Sequence, residues 1–163
     1  MNRVFVVGTS IYFCVLLVQV IYGGRQAKVA YPQGYRSWVH VKSEVILKGH
    51  RHYNSFGGIH HIYANDVAIA ALKENTEFAK GAVLVFDLFE EKIEGHAILE
   101  GRRKVIGVME KDPDRFSETK GWGFEDFKNG DPQRRQVIDM QRQCLSCHET
   151  QKKSGYVYSR YRK

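Results

Sequence analysis

Three residues carry the clearest chemistry in this chain: Cys144, Cys147 and His148, in the run RQCLSCHETQ. Their spacing is C-x-x-C-H. Two thiols at this separation add to the two vinyl groups of a haem, and the histidine that follows on the same turn of chain then lies under the iron. Its Nε2 binds the metal, while Nδ1–H donates to a backbone carbonyl and fixes the tautomer. The motif predicts one haem c per chain, held covalently by Cys144 and Cys147, with His148 as the axial ligand to iron. Other readings fit less well. A structural zinc site needs further ligands at close spacing, and no second cysteine pair exists. A redox C-x-x-C belongs at a helix start near a βαβ pattern, whereas this one follows a predicted helix.

The motif fixes only one side of the iron. His40, His50, His52, His60, His61, His96, Met109 and Met140 are all available as a sixth ligand. Each taken singly is better explained as a surface or core residue. Small electron-transfer cytochromes complete the iron with Met or His, but they are largely helical and carry the motif near the N-terminus. Here it comes late, in a chain rich in strand signals.

Those signals set the elements that must position the site. YRSWVHVKSEV (Tyr35 to Val45) suggests a strand with mixed faces. GIHHIYA (Gly58 to Ala64) alternates as a half-buried strand does, with Phe56, Gly58, His60 and Ile62 on one side and Ile59, His61 and Tyr63 on the other. Asn65 caps a short helix through DVAIAALKEN. GAVLVFDLFEE is apolar on both faces and reads as a central strand. GRRKVIGVMEK and KGWGFEDF supply two more strands, and Pro132 is placed to open a helix through QRRQVIDMQRQ into the C-x-x-C-H. The tail GYVYSRYRK reads as a short strand or an aromatic edge packed on the rest. The class is α+β, a mainly antiparallel sheet of about five strands with short helices and a C-terminal haem c attachment motif.

The N-terminal segment differs. Arg3 precedes an apolar run from Val4 to Ile21, and the segment holds no acidic residue. Residues 1–27 read as a signal peptide or an N-terminal membrane anchor ahead of a domain over 28–163. No A-x-A cleavage site is present, and Arg25 falls at the −3 position for a cut after Ala27. Export to the periplasm is the expectation, with anchoring through residues 4–21 if the segment stays. Of three cysteines, Cys14 lies in this run, so no disulfide framework is available. The net charge of +7 comes from scattered bases with interleaved acids, a solvated surface. No nucleic-acid recognition motif accompanies it.

Taken in order, YRSWVHV, FGGIHHIYAN, GAVLVFDLFE, VIGVMEKD, GWGFEDF, CLSCH and YVYSRY resemble the cytochrome P-460 family, which includes cytochrome c′-β. The resemblance covers about Tyr35 to Tyr161. It implies a homodimer of β-rich subunits, each with one haem, a proximal histidine and an open distal side. In the hydroxylamine-oxidising branch a lysine bonds to the haem edge. The matching position here is Phe86, and no lysine occurs from Ala82 to Glu91. In the c′-β branch aromatic residues cap the distal face, which Phe86 fits with Phe56 as partner. His60 matches a distal arginine of the enzyme branch, and Asp139 matches a distal carboxylate used there for proton transfer. Both are candidate catalytic groups, with packed and solvated roles as the alternatives. The resemblance implies a five-coordinate iron that binds NO or CO under an apolar cap, for scavenging or trafficking. A hydroxylamine-oxidising or nitrogen-oxide-converting enzyme is the first alternative. A periplasmic electron-transfer cytochrome with a redox partner protein is the second.

Overall fold

The computed structural model describes residues 27–162, so the N-terminal apolar run lies outside the described residues. Among them no helix is long and apolar enough to cross a membrane. Five strands follow one another in an antiparallel meander: β1 (Val39–Ile46), β2 (Gly58–Ala64), β3 (Val83–Glu94), β4 (Ala97–Lys111) and β5 (Trp122–Lys128). Their spatial order is their chain order. The α+β expectation holds.

The apolar character of GAVLVFDLFEE matches its place. β3 sits between β2 and β4 at the middle of the sheet, where both faces are covered over its first half. Its far end and the start of β4 leave the sheet as a hairpin arm, with Ile93 69% exposed. Trp122, Phe127, Leu88, Ile106, Leu145 and Val85 are among the largest fully buried side chains.

Two helices connect the early strands. α1 (Tyr53–Phe56) is a single turn ahead of β2. α2 (Asp66–Glu74) links β2 to β3 and begins as its sequence predicts, with Asn65 Oδ1 accepting from Ala68 N at 2.9 Å.

The predicted helix from Pro132 does not form. Pro132 and Gln133 make a turn, with Gln133 N donating to Asp131 Oδ1, and Arg135 then bridges to Phe127 beside β5. Arg135 Nη1 is held by Glu125 at 2.8 Å, and Val137 N donates to the same carboxylate. These contacts hold the chain extended, and helical structure starts only at Met140. It runs through a π-helical turn (Gln141–Leu145), α3 (Ser146–His148) and a 3₁₀ turn (Glu149–Ser154). The tail after Tyr156 forms no strand but packs inward, burying Val157 and Ser159.

Candidate haem site

The helical arm starts where Asp139 Oδ1 accepts from Arg142 N at 3.0 Å, and it is pinned by Leu145, 2% exposed. After Ser154 the chain reverses through Gly155 and Tyr156, both at positive φ (64° and 69°). A tyrosine rarely adopts this conformation, so the turn stores strain. Its effect is local: the Tyr156 carbonyl comes back to lie 2.7 Å from His148 Nδ1. A carbonyl only accepts, so Nδ1 carries the proton and Nε2 keeps its lone pair for a metal. Burial lowers the His148 pKa despite that hydrogen bond, favouring the neutral ring that coordination requires. The ring rests between Phe124 (5.1 Å) and Tyr158 (5.2 Å). Tyr158 also donates to the Cys147 carbonyl, and Trp122 Nε1 donates to Gly155 O. Cys144 is half-buried and Cys147 exposed. Burial, with the charges of Asp126 and Glu125 adding to it, pushes the Cys144 thiol up to about 12.

Phe124 ties this arm to one face of the sheet. Two residues along β5, on the same face, lies Asp126. Directly paired residues share a face, and the pairing runs Asp126 to Gly107 to Phe86 across β5, β4 and β3. A Cβ on Gly107 would lie 2.9 Å from Phe86 Cδ1 and 3.0 Å from Asp126 Oδ1, so only glycine leaves both side chains where they are. Phe86 meets the His60 ring edge-on at 4.7 Å and the Phe56 ring at 6.1 Å. His60 Nε2–H donates to the Phe56 carbonyl, and its Nδ1 faces Glu44 at 3.5 Å. Burial lowers the His60 pKa, so the ring is a neutral strut whose N–H is already committed. A cavity of about 860 Å³ opens on this side, lined by Phe56, Leu88, Val105, Asp126, Gln136 and Gln143, with Arg102, Lys104 and Lys128 among its wall residues. Its size lies within the range of cofactor pockets.

Asp126 is a candidate side chain that the sequence did not point to. Among the described residues no donor reaches its carboxylate, and burial, with the charge of Glu125, raises its pKa to about 6. The family model described as Cytochrome P460 matches residues 32–159. The chain belongs to the cytochrome P460 family. No curated protein matches the sequence.

A cytochrome P460 chain binds haem, and the residues present suit it. The donor set is two thiols and an imidazole with a free Nε2, and Gly107 lets Phe86 and Asp126 close together over the sheet. Phe56, Phe86 and His60 are brought together on the face that carries Phe124 and therefore the His148 arm. Asp139 is placed apart from them, half-exposed and paired with Arg142 at 3.4 Å as it caps the arm. Among the possible sixth ligands, Met140 Sδ accepts from Phe124 N inside the core, and His40 and His61 lie on the opposite face. His50 and His52 are exposed in the β1–α1 loop, and His96 lies at the hairpin tip. Among the described residues Met109 alone of the thioethers stands on the sheet face that carries Phe86, two residues along β4 from Gly107.

Proposed function

We propose that this member of the cytochrome P460 family is an exported haem c protein, joined to its haem through Cys144 and Cys147, whose iron takes up NO or CO on the side opposite His148. The observation that carries the reading is the aromatic layer of Phe56, Phe86 and His60 on the sheet face to which the His148 arm is packed. When bound, the haem supplies an iron with one open position for a diatomic ligand. The protein supplies the rest. Tyr156 holds His148 in the binding tautomer. Phe56 and Phe86 offer no hydrogen bond, and His60 has its N–H on the Phe56 carbonyl. Bound O₂ needs a donor there, whereas NO and CO depend on it far less. The role this reading assigns is buffering or carriage of NO in the periplasm by a homodimer.

One absorption spectrum of the reduced protein, before and after NO, tests this. The expected result is a five-coordinate high-spin spectrum that changes on addition of NO. A low-spin reduced spectrum, with Met109 or a histidine on the iron, would defeat the proposal in favour of an electron carrier. Phe86→Ala should speed CO association, and Phe86→Lys should change it. If neither variant moves the rate, Phe86 is not the cap.

Asp126 favours a second reading. A half-buried carboxylate beside the cavity, its pKa raised by burial to about 6, suits proton-coupled conversion of hydroxylamine or a nitrogen oxide. Turnover of hydroxylamine that is lost in Asp126→Asn would select that reading over simple binding.

A further inference from the structure

The sheet face turned away from Phe86 holds a polar cluster that the haem site does not use. It is built by an irregularity in β1. Ser43 stands opposite His61 on β2, and His40 stands opposite Tyr63, with the register shifting between His40 and Lys42. In a regular strand residues three apart face opposite sides. The extra residue of the bulge turns His40 to the side of Ser43 and His61, which is how bulges re-aim side chains at sites.

The result is convergence on one atom. Ser43 Oγ lies 2.7 Å from His61 Nδ1 and 3.0 Å from His40 Nε2. The two rings are 5.9 Å apart and tilted by 54°. On its far side His61 Nε2–H donates to Glu100 Oε1 at 2.8 Å, which leaves the Nδ1 lone pair directed inward. His40 and Ser43 are exposed, so the cluster is open to solvent. A carboxylate that orients an imidazole whose other nitrogen points at a shared position is the usual outer partner of a histidine metal ligand.

We infer that His40 Nε2 and His61 Nδ1 bind one divalent transition-metal ion on this face, with Ser43 Oγ and water completing the coordination and Glu100 orienting His61. Before an ion enters, Ser43 donates to His61 Nδ1 and accepts from His40 Nε2–H. An ion entering the triangle displaces these bonds, and the His40 proton moves to Nδ1. The ion then meets two imidazole lone pairs, ligands that suit zinc and copper, with copper held more tightly. Among the described residues no group of three His, Cys, Asp or Glu side chains could hold a metal. The site is therefore a two-histidine site for an exchangeable ion rather than a closed structural centre.

The test is titration of the haem-loaded protein with Zn²⁺ by calorimetry and with Cu²⁺ by electron paramagnetic resonance. One ion per chain should bind, with nitrogen hyperfine structure for copper. His40→Ala and His61→Ala should each weaken binding more than about 10-fold and leave the haem spectrum unchanged. Glu100→Gln should weaken it about 10-fold, as loss of an outer partner does. The exposed His50 and His52 provide the control, their rings 5.6 Å apart. Replacing both with alanine should leave the titration as it was. Binding that survives both single variants, or that is lost with His50 and His52, overturns the site.

Discussion

Asp87 and Asp126 are carboxylates on opposite faces of one sheet, and their surroundings differ completely. Asp87 is fully buried on β3 and satisfied. Tyr35 OH donates to it at 2.6 Å, Arg103 Nε at 2.7 Å and Arg36 Nη2 at 3.3 Å. Asp126, half-buried beside the cavity that Phe56 and Leu88 line, meets no donor among the described residues, and burial with the charge of Glu125 raises its pKa to about 6. A buried charge must be paired or must give up its charge. The first solution ties the N-terminal 3₁₀ turn (Tyr35–Ser37) onto the sheet. The second leaves a half-buried carboxylate beside the cavity that holds its proton up to about pH 6.

The largest effect should follow from breaking the satisfied side. Asp87→Ala strands the buried Tyr35 hydroxyl and the partly buried Arg103 guanidinium. The expected loss is about 3–5 kcal/mol, the range for removing one partner of a buried pair. Urea unfolding measures it. A loss below about 1 kcal/mol would mean the clamp behaves as a surface ion pair.

Asp126→Asn should act in the opposite direction. The folded-state pKa is raised from 3.8 to about 6, so the native state holds the extra proton. Native stability is then greatest below the unfolded value, falls as pH rises from about 4 to 6, and stays lower above it. The amide removes that penalty. At pH 7 the variant should gain up to about 3 kcal/mol. Below pH 4 the two proteins should match. Unfolding midpoints across pH 3–8 check both parts, and an unchanged pH profile in the variant would place the titration elsewhere.

Much of this arrangement was legible in the residues themselves. The alternation of GIHHIYA gave β2 its bounds, the apolar run of GAVLVFDLFEE placed β3 at the centre, and Asn65 marked the start of α2. Asp126 was not legible, for a physical reason. In GWGFEDF each face of the strand carries one acid, so parity cannot say whether Glu125 or Asp126 is the unpaired one. That depends on Arg135, which reaches Glu125 from ten residues on. The same contact explains why QRRQVID, helical by composition, stays extended. Likewise, nothing local to His40 announces the bulge that turns it toward His61.

Gly107→Ala tests how tightly the unpaired side is packed. The added methyl falls between Phe86 Cδ1 at 2.9 Å and Asp126 Oδ1 at 3.0 Å, and one of them must move. The cost should be about 2 kcal/mol, as for overpacking in a filled core. The same change at a loose site would cost nothing. The reading that separates the two is the Asp126 titration, which should shift from about pH 6 only if the methyl displaces the carboxylate.

The smallest effect should come from His60→Gln, and it tests what the histidine does rather than how much it stabilises. Glutamine keeps an N–H that can reach the Phe56 carbonyl but loses the edge-on contact of the ring with Phe86 at 4.7 Å. An aromatic pair of this kind contributes about 1 kcal/mol, so the stability change should be no larger. The ligand kinetics should change more. If His60 acts as a strut between the two phenylalanines, Phe86 gains freedom and CO association speeds up, while the dissociation rate of bound O₂ stays as it is. If His60 instead donates to a bound ligand, the variant should release O₂ faster and leave CO association unchanged. The two rates therefore decide between a packed histidine and a ligand-binding one.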